Sequence, residues 1–191
     1  MTVEADAILK TWFEDIGPSG WFAVSDATDA LLRERFLATY EAEVQAPDQA
    51  ELWLLRPTWA LALLLLLDQF PRNMFRNTPR SFAADGMALR VAQQAIDHGH
   101  DLETPVDRRI FFYLPFEHSE SLAMQDRAVE LVRERADLHD YLKFAELHRD
   151  IIRTFGRFPH RNALLGRKST PEETAYLENG GETFGTAPAK T

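Results

Sequence analysis

Three stretches of the chain gather side chains that could move a proton or grip an anion. The first holds Asp68, Gln69, Arg72, Asn73 and Arg76; the second holds Glu117, His118 and Glu120; the third holds His148, Arg149, Asp150, Arg153, Arg157, His160, Arg161 and Asn162. In the second, a histidine that titrates near neutrality adjoins a carboxylate able to orient or charge it, so Glu117 and His118 are candidates for proton transfer. Asp68 is a further carboxylate that could serve as base or ligand anchor. In the third, Arg149, Arg153 and Arg157 recur every four residues and would share one helical face if the helix continued that far. From Leu147 to Thr170 the formal net charge is +5, inside a chain whose total is -9. Arginine donates bidentately and keeps its charge, which suits a carboxylate or a phosphate.

Each group also has a plain structural reading. Cations near a helix C-terminus complement its dipole and pair with surface acids. A buried Asp68 could be an ion pair with Arg72, Arg76 or an arginine of the third stretch, since a lone buried carboxylate costs several kcal/mol. His118 could be a loop histidine bonded to a backbone carbonyl. His118, His148 and His160 lack the Glu-x-x-His and His-x-x-x-His spacings of helical metal sites, so no metal and no cofactor are expected. His148-Arg149-Asp150 matches a kinase catalytic-loop tripeptide only by chance, with no glycine-rich loop or Asp-Phe-Gly in the chain. His98, His100 and His139 are expected to face solvent.

Helices must position these groups. From Trp59 to Leu67 every residue is apolar, so all faces of that helix need cover and it is the expected core. Pro71 should stop it. Ile8, Leu9, Trp12, Phe13 and Ile16 mark an amphipathic first helix ended at Gly17, after which Trp21 and Phe22 look like a plug into the core. A second helix is expected from Ser25 or Asp26 to Val44. Ser81 should cap a helix running to Gly99, and Thr104-Pro105 should start one that meets Pro115. Further helices are expected from about Glu120 to Arg135 and from Leu138 to Phe155, the latter ended by Gly156. Thr170-Pro-Glu-Glu173 reads as a capping box opening a last short helix. No stretch reads as a strand, so the expectation is all-α with seven to nine helices: one domain over residues 1–178 and a flexible tail over 179–191. The Phe-Pro and Arg-Asn pairs of Gln69–Asn73 and Arg157–Asn162 echo one another faintly.

At 191 residues the chain suits one domain. It has no cysteine, hence no disulfide, thiolate metal site or cysteine nucleophile, which fits a cytoplasmic location. The start of the sequence is acidic where a secretory signal would be basic, so export is not expected. The longest apolar run falls well short of the about 20 residues of a membrane span. The acidic balance argues against general binding to nucleic acid or anionic membranes.

Leu-Leu-Leu-Asp68-Gln-Phe-Pro-Arg-Asn73-Met-Phe-Arg76, Phe111-Phe-Tyr-Leu-Pro-Phe-Glu117-His118-Ser-Glu120 and the run from His148 through Gly156 and Asn162 to Arg167 resemble the bacterial domain-of-unknown-function family 924. The resemblance extends from Ile8 to about Leu177. It implies an all-α domain of antiparallel helix pairs in a tetratricopeptide-like right-handed array, and no assigned activity.

Three functional expectations follow. In the leading one, a polar pocket binds a small anion: Arg72, Arg149, Arg157 and Arg161 hold it, Asn73 and Asn162 orient it, and Glu117 and His118 transfer protons. In the second, a helical module grips a partner's peptide. In the third, the polar groups form a buried structural network with no ligand.

Overall fold

The computed structural model describes residues 2–136 and 139–186, and every regular element among them is helical. The α-helices are α1 (Thr2–Lys10), α2 (Asp26–Gln45), α3 (Ala50–Trp53), α4 (Pro57–Leu64), α5 (Phe70–Met74), α6 (Asp85–Asp97), α7 (His100–Glu103), α8 (Ile110–Glu117), α9 (Leu122–Arg135), α10 (His139–Phe155) and α11 (Pro171–Glu178). No helix among the described residues is long and apolar enough to cross a membrane.

The all-apolar helix is central as expected. Every residue from Ala60 to Leu67 is buried, and α4 packs against α1, α6 and α8. Its end differs from the expectation. Pro71 does not stop the helix; a π-helical turn over Leu65–Gln69 is followed directly by α5. A proline has no N–H to donate and its ring collides with the carbonyl four residues back. In the widened turn Phe70 N–H donates to the Leu65 carbonyl, five residues back, so Pro71 enters after the ordinary bonding register has been broken. Pro115 likewise sits inside α8 rather than ending it, and the helix runs two residues further to Glu117.

Other boundaries were displaced by side-chain chemistry. Ser81 does not cap a helix. Its hydroxyl donates to the Phe75 carbonyl from a 3-10 turn over Pro79–Phe82, and α6 starts only at Asp85. Thr104 donates to the His100 carbonyl, so a 3-10 turn over Val106–Arg108 intervenes before α8. By contrast, Ser25 caps α2 by accepting from Thr28 N–H, and both halves of the Thr170–Glu173 capping box are present. Gly17 and Gly156, at positive φ, follow their helices as expected.

Of the expected plug, Trp21 is buried and donates to the Trp12 carbonyl, whereas Phe22 is 57% exposed. His98 is exposed, but His100 is buried with Nε2 2.7 Å from the Leu54 carbonyl, correcting its solvent-facing assignment. The side chain of His139 lies outside the described residues.

The core position makes a direct prediction. Leu64→Ala should lower the unfolding free energy by about 3 kcal/mol in a urea titration, the cost of an unfilled cavity. Leu55→Ala, at an exposed position, should change it by less than about 0.5 kcal/mol.

Candidate functional site

The π turn after α4 sets Asp68 and Gln69 at the end of the core, where both are buried. Asp68 Oδ1 lies 2.7 Å from His118 Nδ1, and Oδ2 accepts from Gln69 Nε2 at 2.6 Å. Arg72, one turn on, donates to the Asp68 carbonyl at 2.7 Å and approaches its carboxylate at 3.6 Å. Burial alone would raise the Asp68 pKa, but the contact with His118, the Arg72 charge and the Gln69 hydrogen bond hold it well below the usual carboxylate range. The carboxylate is thus ionised, and His118 donates through Nδ1, leaving Nε2 as the ring's other polar atom. His118 itself is lowered, first by burial and then by Arg72, against the opposing pull of Asp68. The partner of His118 is therefore Asp68 and not the adjacent Glu117 expected from the sequence.

Arg72 continues the network by a two-pronged contact with Asp85, at 3.1 and 3.2 Å, and Arg161 reaches the same carboxylate at 3.1 Å. Asp85 becomes available because α6 begins there. The Arg161 guanidinium lies 4.5 Å from the ring centres of both Phe82 and Phe158. Burial, with Arg72 adding to it and Asp85 opposing, pulls its pKa down to about 10, so it stays charged at neutrality. Arg76 is paired at 2.7 Å through two nitrogens with Asp29 and also donates to Asn73 Oδ1, whose own amide donates to the Gln69 carbonyl.

These groups form the polar end of a cavity of about 630 Å³. Gln69, Arg72, Asn73, Arg76, Glu117, His118, His148, His160 and Arg161 all line it, so nine of the residues proposed from sequence meet in one place. Glu117 is 1% exposed; burial, and then the Asp68 charge, push its carboxyl well above the ordinary value. Its Oε2 lies 3.5 Å from His148 Nδ1, which donates to the Phe144 carbonyl, and its Oε1 has no partner. His148 and His160 are both brought down to about 3, chiefly by burial, and are neutral.

The opposite walls are apolar. Tyr141, Phe144 and His148 project from one face of α10, and Trp21, Phe22 and Val24 close a second side. A third comes from beyond α11. The Phe184 ring stacks on His148 with centroids 3.8 Å apart and planes 15° apart, and its edge meets His160. The expected flexible tail thus includes residues that wall the cavity; residues 187–191 lie outside the described ones. Sequence reasoning missed this wall and Asp85. The available signals were an aromatic isolated among Gly180, Gly181 and Gly185, and an acid opening a helix.

The remaining proposed residues lie elsewhere. Gly156 turns the chain at the end of α10, so Arg157 does not stack above Arg149 and Arg153. Arg149 and Arg153 bond Asp150. Arg157 grips Glu173 at 2.6 and 2.8 Å, and Asn162 donates to the same carboxylate at 3.0 Å. Arg167 holds Glu120. Within the +5 stretch, Arg157, Arg161 and Arg167 thus meet acids from other parts of the chain, and Arg149 and Arg153 meet Asp150 of the stretch itself. Among the described residues no group of three or more metal-ligating side chains converges.

Glu173 ties α11 to the body. Its pKa falls to about 2, first through the Arg157 hydrogen bond, from an ordinary value of 4.5. A depressed folded pKa adds stability that is complete above the unfolded value and lost as pH falls toward the folded one. Unfolding free energy of the wild type should therefore drop between about pH 4.5 and pH 2 more steeply than that of Glu173→Gln. At pH 7, Glu173→Ala should cost about 3 kcal/mol, because Arg157 and Asn162 lose their shared acceptor.

No curated protein sequence gives a significant match. A protein of unknown function from Agrobacterium tumefaciens, ATU0120, has a solved structure that superposes with a TM-score of 0.87 at 44% identity, covering 94% of this chain and 99% of that one. Residues 8–181 match the profile of a family described as a bacterial protein of unknown function. The chain, by the extent of that match, belongs to the family DUF924.

Proposed function

We propose that this protein binds a small amphipathic anion in the cavity and can transfer a proton to or from it at His118. The observation that carries the proposal is the Asp68–His118 pair opening into a cavity of about 630 Å³ whose other walls are aromatic. A buried carboxylate that fixes one imidazole nitrogen leaves the other free to exchange a proton with a bound molecule. Arg72 and Arg161 bring guanidinium groups to the wall beside it, each already paired with an acid, and Glu117 brings a carboxyl group. The anion-holding roles given from sequence to Arg149 and Arg157, the orienting role of Asn162 and the candidacy of Arg153 are dropped, since these side chains are engaged outside the cavity.

A second reading has one observation in its favour: Phe22, Val24 and Phe144 are exposed at the cavity's edge, where a peptide could lie. It would make the helices a tetratricopeptide-like array with a partner groove. The test is thermal stability against a panel of carboxylates, phosphates and acidic peptides. A ligand at about 100 times its dissociation constant adds about 2.7 kcal/mol, or about 5–10 °C. The shift should come from small anions with an apolar body and vanish in Ala23→Trp, which places bulk at an exposed position of the cavity wall. Stabilisation by peptides alone would transfer the proposal to the second reading; none from any compound would leave the network purely structural.

A further inference from the structure

The polar end of the cavity contains buried hydrogen-bonding atoms with no protein partner. Among the described residues, Glu117 Oε1, His160 Nδ1 and Arg161 Nε are buried and unpartnered, and all three residues line the cavity. Buried polar atoms are rarely left unsatisfied, so three of them in residues that line one cavity point to a hydrogen-bonding head group there. One of them, the Arg161 Nε–H, can only donate, while the Glu117 carboxyl and the His160 ring nitrogen can meet either kind of partner. An acceptor-rich head fits them; an ammonium does not, and it would also face Arg72 and Arg161.

Charge decides which acceptor. Around His118, α5 brings Arg72 and the π turn brings Asp68; α6 brings Asp85; the turn at Pro159–Arg161 brings Arg161. These two cations and two anions cancel. The same turn carries His160, and α10 carries His148 and Tyr141, all uncharged at neutrality. His118 directly follows Glu117, whose carboxyl burial pushes well above its ordinary value, and beyond it Glu120 is matched by Arg167. Arg76 at the cavity wall is matched by Asp29. Glu182, on the segment beyond α11, adds a further acid to the cavity wall. The surroundings therefore carry no surplus of positive charge, and an entering anion has no spare cation waiting for it. A buried charge left uncompensated is costly, so it must bring compensation with it.

We infer that the cavity takes a monocarboxylate with an apolar body, and that one proton is taken up at His118 as that carboxylate binds. The proton converts His118 into a cation bonded on one side to Asp68 and able to face the ligand's carboxylate on the other. A phosphate dianion would require two such protons; of the three histidines on the cavity, His118 is the one bonded to Asp68, while burial holds His148 and His160 down at about 3. The walls formed by Trp21, Phe144 and Phe184 cover the apolar body. This inference rests on the cavity being a ligand site and adds to it the head group and the coupled proton.

The probes are 4-phenylbutyrate and the amine, alcohol and phosphonate of the same skeleton. Isothermal titration in buffers of different ionisation enthalpy counts the protons exchanged on binding. The wild type should bind the carboxylate best, with close to one proton taken up at pH 7.5 and an affinity that falls about tenfold per pH unit above the His118 transition. His118→Gln should bind it at least tenfold more weakly with no proton uptake. Tighter binding of the alcohol or the phosphonate, or carboxylate binding with no proton taken up by the wild type, would overturn the inference while leaving the cavity a ligand site. Failure of the whole series to bind would overturn both.

Discussion

A carboxylate at the end of a fully buried apolar helix has to be compensated by groups brought to it, because no water reaches it. Asp68 is that carboxylate. Its demand draws His118 from the end of α8 and Arg72 from α5; Arg72 in turn needs Asp85 from α6, and Asp85 has a second oxygen to share with Arg161 from the turn beyond α10. One unfavourable burial thereby fixes the relative positions of four separate segments. Ion pairs of this kind add little net stability compared with apolar packing, but removing one partner strands the other at a cost of several kcal/mol. Their effect is to specify geometry. The aromatic rings on either side of Arg161 hold the last link of the chain in place.

A second arginine network, independent of the first, attaches the C-terminal part. Glu173 is at once the capping-box acid of α11 and the acceptor for Arg157 and Asn162. That attachment brings the following segment back across α10, where Phe184 covers His148. The arginines divide accordingly: those after the core helix and Arg161 stand at the cavity, Arg157 and Arg167 fasten the scaffold, and Arg149 and Arg153 bond Asp150 on their own helix.

Much of this was legible before the fold was known. Apolar periodicity and helix punctuation placed the long helices, and the density of polar groups after them located all nine of the proposed residues that line the cavity. What failed were inferences from one residue's local habit. Pro71 and Pro115 have no fixed meaning once a π turn or a last helical turn accommodates them. Ser81 could cap a helix, but a nearby carbonyl from Phe75 outbid that role. The regular spacing of Arg149, Arg153 and Arg157 implied a shared face only while the helix lasted, and Gly156 ended it. Asp85 was invisible because its partners are remote in sequence. Yet the faint echo between Gln69–Asn73 and Arg157–Asn162 has a spatial counterpart, since the Phe-Pro segments each send an arginine, Arg72 and Arg161, to that one acid.

The widened turn over Leu65–Gln69 has a further meaning as a phase shift. Successive residues of an α-helix advance by about 100°. One extra residue in a turn rotates everything after it by about that angle relative to what came before. Upstream, the helix can be apolar on every side because the core surrounds it; downstream, Arg72, Asn73 and Arg76 must face particular partners. The bulge is the joint at which the chain stops filling space and starts aiming side chains, so core and site can each hold their own angular setting on what is otherwise a single rod.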